Sequence, residues 1–199
     1  MRVLVINLDR SPARLYTTME ELSRVGLSGE RVVAVDGDTL TLDASGNVPG
    51  FKKRTGKNQK YYTGTAACWM SHMRALEEAI SGNVWPCMIV EDDIVIMGSA
   101  PVTVPDVSED IVYLGGLDHP TKGVYGCHAI VYKTRRAAER ALMYQMSHPA
   151  AADYNMIRLN RLSPIHYARP YRIYQRNGIS QISGSYIRRF PAKILLTFE

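Results

Sequence analysis

Runs of about four apolar residues, each closed by a polar or glycine-bearing stretch, set the rhythm of this chain. Val3-Leu4-Val5-Ile6 is a continuous apolar, mostly β-branched run, the pattern of a strand buried on both faces. Ser11-Pro12 then supplies a helix N-cap and a first-turn proline, and Leu15, Met19 and Leu22 recur at helical spacing until Gly26. A second run, Val32-Val33-Ala34-Val35, ends at Asp36-Gly37-Asp38. Strand, helix, strand in this order opens a parallel α/β sheet. Residues 37–62 read as a long surface excursion carrying Lys52, Lys53, Arg54, Lys57 and Lys60. A helix is expected from about Thr63 to Ile80, with Cys68, His72, Ala75 and Ala79 on one stripe, Met73, Leu76 and Ile80 on another, and Gly82 closing it. Cys87-Met88-Ile89-Val90 is the third buried strand and runs directly into Glu91-Asp92-Asp93. Ile111 to Leu114 and Ala129 to Tyr132 read as further strands, Thr134 caps a helix to about Met146, and beyond Pro149 the pattern weakens into a short helix and loops.

With 199 residues, 46% of them hydrophobic, the expectation is one domain spanning 1–199 with a sizeable core. The opening apolar run is too short for a signal-peptide core and no segment approaches a membrane span, so a soluble, cytoplasmic protein is expected. The three cysteines, Cys68, Cys87 and Cys127, are widely spaced and form no C-x-x-C pair, which indicates neither a disulfide framework nor a zinc knuckle.

Charge changes the picture in the second half. Residues 1–100 carry 11 basic and 12 acidic side chains, residues 101–199 carry 13 and 7. From Arg158 to Lys193 there are eight basic residues (Arg158, Arg161, Arg169, Arg172, Arg176, Arg188, Arg189, Lys193) and no acid, interleaved with Tyr167, Tyr171, Tyr174, Tyr186 and Phe190. Such a stretch is either a solvated basic face or a surface for an anionic, stackable partner.

Glu91-Asp92-Asp93 falls at the carboxyl end of a buried strand, where open α/β sheets collect their ligands. Strand alternation would put Glu91 and Asp93 on one face and Asp92 on the other. Two same-side carboxylates can hold one divalent cation and leave positions open for a diphosphate, whereas a solvated strand end remains the simpler alternative.

The order of motifs narrows this. Val5-Ile6-Asn7-Leu8-Asp9-Arg10 with Arg14, then Ala34-Val35-Asp36-Gly37, then Gly64 with Cys68-x-x-Ser71-His72, then Glu91-Asp92-Asp93, resembles glycosyltransferase family 25, the lipopolysaccharide and procollagen galactosyltransferase group. Arg169-Pro170, Gln175 and Ser180-Gln181-Ile182 are similar to that family's C-terminal pattern, so the resemblance covers residues 2–183. Two departures stand out. Gly64-Thr65-Ala66-Ala67-Cys68 replaces the family's Gly-Glu-Ile-Gly-Cys, and Gln181 stands where an acid is common.

The resemblance implies a Rossmann-like GT-A type glycosyltransferase fold, an α/β architecture with a mostly parallel central sheet flanked by helices. It also implies a nucleotide-sugar donor, typically a UDP-sugar, and a divalent cation, Mn2+ or Mg2+, with residues 1–97 on the donor and metal side and 98–199 on the acceptor side. On that reading Asp93 is a direct metal ligand, Glu91 binds the metal, a metal-bound water or the ribose, and Asp92 lies beside them. Asn7, Arg10, Arg14 and Asp36 are candidates for nucleotide and diphosphate contacts, although Arg14 alone reads equally as a surface arginine and Asp36 as a turn former. Ser71 and His72 would sit near the donor, against the alternative of a hydrogen-bonded core histidine. Asp153 is the candidate base for the acceptor hydroxyl in an inverting transfer, or else a helix cap, with Asp118 in reserve.

The leading expectation is therefore sugar transfer to a hydroxyl of a glycan, lipopolysaccharide or other anionic acceptor, DNA with hydroxymethylated bases included. The alternatives are a non-catalytic nucleotide-sugar or nucleic-acid binding module and a metal-dependent nuclease built on the same carboxylates.

Overall fold

The computed structural model describes residues 1–51, 58–119, 123–176, 178–179 and 186–187. Lys52, Lys53, Arg54 and Lys57 of the basic excursion lie outside the described residues, as do Arg188, Arg189, Phe190 and Lys193 of the basic stretch and Ser180-Gln181-Ile182.

Six strands form the central sheet in the order β2-β1-β3-β6-β5-β7. They are β1 (Arg2–Asn7), β2 (Gly29–Val33), β3 (Cys87–Glu91), β5 (Ile111–His119), β6 (Gly123–Tyr132) and β7 (Ile165–Tyr167). β1 pairs in parallel with β2 and β3, and β5 with β7, while β6 runs antiparallel to both β3 and β5. Five strands thus share one direction and β6 opposes them, the mostly parallel α/β sheet the sequence predicts. Val3, Leu4, Val5 and the run Cys87 to Val90 are fully buried, as expected of strands covered on both faces.

One face is covered by α2 (Gln59–Gly82), α3 (Arg135–Ser147) and α4 (Ala152–Leu159), which bury Ala75, Leu76, Ala79, Ala137, Ala141 and Met156 against Leu4, Ile89 and Ile130. The other face carries α1 (Pro12–Arg24) and the segment through Val102, Val104 and Val107, packed on Val3, Val5, Met88 and Val131. Asn58 caps α2, its Oδ1 accepting from Tyr61 N at 2.8 Å, and Thr134 caps α3 in the same manner. α2 ends at Asn83, a left-handed residue with φ 51°. Among the described residues no helix is long and apolar enough to cross a membrane.

Two departures from the expected elements matter for the site. β2 begins at Gly29 and ends at Val33, three residues ahead of the expected run, because it is the sheet's edge and Glu30 and Arg31 can pair on one side while facing water on the other. A short strand, β4 (Ile94–Ile96), follows the acidic triplet and pairs antiparallel with β8 (Ile173–Gln175), Ile94 opposite Gln175. The pair β9 (Gly178–Ile179) and β10 (Tyr186–Ile187) follows.

Candidate active site

The chain goes from β1 outward to β2 and then returns past β1 to β3, so the carboxyl ends of β1 and β3 flank the point where strand order reverses. Crevices at such points are where doubly wound sheets bind ligands. Asn7 ends β1 and Glu91 ends β3, with Ile6 opposite Glu91 in the register.

The expected alternation of Glu91, Asp92 and Asp93 does not hold. Extended geometry stops at Glu91, and Asp92-Asp93 form a turn into β4, so both aspartates face the start of α1 while Glu91 faces α2. Arg14, in the first turns of α1, bridges the aspartates, 3.0 Å from Asp92 Oδ1 and 2.5 Å from Asp93 Oδ2. Asn7, 1% exposed, donates from Nδ2 to Asp92 Oδ2 at 2.7 Å and to the Ser11 carbonyl at 2.9 Å, which ties the turn to the loop entering α1. Arg31 of β2 donates to Asn7 Oδ1 and fixes which way that amide faces. Gln175 donates to Asp93 Oδ2 at 2.9 Å, and the Arg176 amide donates to the Asp93 carbonyl at 2.6 Å. Asp93 Oδ1 is buried and has no hydrogen-bond partner among the described residues.

This crowding shows in the protonation equilibria. Burial and the neighbouring Glu91 push the Asp93 carboxyl up from 3.8 to about 6, against the pull of Arg14 and Gln175. Burial likewise raises Asp92, opposed by Arg14 and by the Asn7 hydrogen bond. The two aspartates and Glu91 hold more negative charge than the single guanidinium offsets, an electrostatic demand for a further cation.

On the α2 side, His72, 4% exposed, places Nε2 3.2 Å from Glu91 Oε1. The histidine faces packed structure, as its stripe predicts, and its polar partner is the first residue of the acidic triplet. Cys68, one turn earlier, joins the same cluster, with one ligand atom of each of Cys68, His72 and Glu91 lying within 4.8 Å of the others. Ser71 does different work, since its hydroxyl accepts from the Val35 amide at 2.9 Å and donates to the Ala67 carbonyl at 2.7 Å, buried between α2 and the segment after β2. Arg10 and Asp36 pair with each other, Nε to Oδ2 at 2.6 Å and Nη2 to Oδ1 at 3.0 Å, and the Arg10 hydrogen bond holds the Asp36 carboxyl below its ordinary value. Asp36 also accepts from the Asp38 amide at the head of the 3-10 turn Gly37–Thr39. A Cβ on Gly37 would stand 2.9 Å from the Gly64 backbone, so this turn lies directly on α2.

Asp153 occupies the first turn of α4 and accepts from the Tyr154 amide. It lies on the α2 side of the sheet, where α4 packs with α2 and α3. Asp118 is engaged through both oxygens by Arg169. Gln175 and Cys68 belong to the site but were not singled out by residue chemistry. Both appear in the motif order, which was the available signal.

The basic stretch is less open than its sequence suggests. Arg172 donates to the carbonyls of Met97, Ala100 and Pro101, Arg169 pairs with Asp118, and Arg176 lies 3.6 Å from Glu21. Arg158 sits over the Tyr154 ring. Among the described residues, Asp118 and Glu21 thus supply acidic partners to Arg169 and Arg176, whereas Arg172 and Arg158 are held by carbonyls and a ring.

A glycosyltransferase 25 family member from Aedes aegypti is 29% identical over 121 residues, 58% of this chain and 20% of that protein. The human inactive glycosyltransferase 25 family member 3 is 26% identical over 168 residues, 71% of this chain and 28% of that protein. The chain therefore spans well under a third of the length of these curated relatives, 20% and 28%. A crystal structure of a glycosyltransferase involved in glycosylation of the major capsid of PBCV-1 superposes with a TM-score of 0.46 at 9% identity, over 85% of this chain and 83% of that one. The model of glycosyltransferase family 25 (LPS biosynthesis protein) matches residues 1–112, a span that runs from β1 through α1, α2 and the acidic turn into β5, and on that match the chain belongs to this family.

Proposed function

We propose that this chain transfers a sugar from a nucleoside-diphosphate sugar, in the first instance a UDP-sugar, to an acceptor hydroxyl at the crevice between the ends of β1 and β3. The observation that carries the reading is the Asp93 carboxylate, one oxygen bridged to Arg14 and Gln175 and the other buried without a partner among the described residues, in a pocket of excess negative charge. That carboxylate fits a hard divalent cation, Mn2+ or Mg2+, with Asp93 as its direct protein ligand and Glu91, which turns toward α2, reaching it through a bound water. A cation bound there supplies Lewis-acid neutralisation of the charge that develops on the departing nucleoside diphosphate.

The chain's own residues account for the remaining roles. Arg14 offers its guanidinium to the diphosphate oxygens while holding Asp92 and Asp93 in place, and Asn7 locks the turn to the α1 entrance. The Arg10–Asp36 pair borders the nucleotide side at the end of β2, and Ser71 fixes the spacing between that segment and α2. His72 orients Glu91. Asp153 is the base proposed to take the acceptor hydroxyl proton, preferred over Asp118 because Arg169 already engages both oxygens of the latter. The acceptor is a glycan, a lipopolysaccharide or another anionic polymer such as hydroxymethylated DNA, engaged by residues 98–199.

A second reading is favoured by one observation. The human relative bears a name that describes it as inactive, so a non-catalytic donor-binding module of the same fold is the alternative. Scoring a panel of nucleotide sugars for nucleoside-diphosphate release with Mn2+ separates the two. Release with one donor supports transfer, and donor binding without release under any acceptor supports the binding module.

A further inference from the structure

We infer that Cys68, His72 and Glu91 form a binding site for a thiophilic divalent metal such as Zn2+, separate in its chemistry from the oxygen-only Asp93 position. Cys68 and His72 are four residues apart on α2 and so project from the same face one turn apart. Glu91, at the last position of β3, meets them from the sheet. The ligand atoms, a thiol sulfur, an imidazole nitrogen and a carboxylate oxygen, lie within 4.8 Å of one another, close enough for one ion to sit among all three after side-chain adjustment. His72 is already held with Nε2 toward the carboxylate at 3.2 Å, so two of the three ligands are in position before any ion arrives.

The ligand types decide which ion. Thiolate with imidazole selects zinc and other borderline-soft metals, while magnesium and calcium require oxygen. Three protein ligands leave a fourth tetrahedral position open. Burial holds the Cys68 thiol in its protonated form, and the charges of Glu91, Asp153 and Asp93 add to this; that same negative potential favours a cation beside the sulfur. Binding releases the Cys68 thiol proton to solvent and forms a metal–sulfur bond without any oxidation or reduction, so proton release accompanies uptake. Glu91 is common to this site and to the proposed donor site, which predicts that zinc bound here withdraws one carboxylate from the manganese position. The inference otherwise stands independently of the sugar-transfer reading.

The test is to titrate the full chain, in the reduced state, with Co2+ and then Zn2+ and follow the visible and near-ultraviolet absorption. The expected result is a thiolate-to-cobalt charge-transfer band that saturates at one equivalent and is bleached by Zn2+. Cys68→Ser, which preserves volume, should remove the band and weaken Zn2+ binding by at least about tenfold, no less than the loss known for groups that merely support a ligand. Cys127→Ser and Asp93→Asn should both keep the band. Absence of the band in the wild type, or the same band in Cys68→Ser, overturns the site. Loss of the band in Cys127→Ser alone would move the thiolate elsewhere and overturn it equally. Because Asp93→Asn is expected to lose manganese-dependent donor binding while keeping the cobalt band, failure of one reading is distinguishable from failure of the other.

Discussion

Replacing Asp93 by asparagine should stabilise the metal-free protein near neutral pH while removing its response to manganese. Burial and Glu91 raise the Asp93 carboxyl from 3.8 to about 6 in the folded chain. A carboxyl raised on folding is favourable to the native state only when protonated. The native state is therefore fully favoured below the unfolded value, near pH 4, and loses that advantage as the pH rises through about 6. Two units correspond to a ceiling of about 3 kcal/mol, at about 1.4 kcal/mol per unit. The side chain retains 19% exposure, and solvent near Oδ2 screens part of the penalty, so about 1–2 kcal/mol is expected. Asparagine keeps the shape and carries no charge, and Arg14 keeps Asp92 as its partner. The assay is urea unfolding of both proteins in chelator between pH 4 and 8. The stability difference should be small at pH 4, open in favour of Asp93→Asn between pH 4 and 6, and stay level above that. With saturating Mn2+ and donor the order should reverse, because only the wild type gains binding energy. An asparagine variant less stable than wild type at every pH would refute the claim that uncompensated charge dominates this turn.

Arg14→Met should act in the opposite direction, leaving Asp92 and Asp93 without their bridging cation and lowering stability by about 1–3 kcal/mol, less than for a fully buried pair because Arg14 is partly exposed. The loss should shrink as the pH falls through about 6, where Asp93 takes up its proton, and chemical denaturation at pH 8 and below that point would show it. Gly37→Ala drives a methyl group to 2.9 Å from the Gly64 backbone and should displace the 3-10 turn from α2, costing about 1–3 kcal/mol. Because that turn carries Asp36, donor affinity should fall with it, read by calorimetry. Arg172→Ala removes donors to three carbonyls of the 97–101 segment and should lower the melting temperature, with a cost of about 1–3 kcal/mol. An unchanged melting temperature together with a flattened salt dependence of acceptor binding would instead return Arg172 to a polyanion surface.

The strands buried on both faces and the three longer helices were legible because their signal is local: Val3 to Ile6, Cys87 to Val90 and the Leu15, Met19, Leu22 stripe declare themselves within a few residues. β2 was shifted because an edge strand tolerates Glu30 and Arg31, which periodicity counts as loop. The first turn of α2 was missed for a related reason. Tyr62 is buried with Phe51 and Trp69 in a satellite cluster that no short-range pattern reveals. β4 and β8 have three residues each, too few for a period to register. At the site, the acidic triplet and its place at a strand end were readable, while the directions of its side chains were not. Alternation presumes an extended chain, and the chain turns at Asp92-Asp93 because β4 leaves to pair with β8. That same pairing brings Gln175 to Asp93 across 82 positions of sequence. The partners of Arg169 and Arg176 in the basic stretch were hidden for the same reason, since Asp118 and Glu21 come to them through the fold.

The central claim, that the acidic turn is a cation-dependent nucleotide-sugar site, is tested most directly by isothermal calorimetry of a UDP-sugar with Mn2+ and with chelator, in the wild type and in Asp93→Asn. Wild-type affinity should fall by at least about tenfold in chelator, a coupling of about 1.4 kcal/mol or more, and Asp93→Asn should bind the donor weakly and equally under both conditions. Equal wild-type affinity with and without Mn2+, or a manganese response preserved in Asp93→Asn, would contradict it.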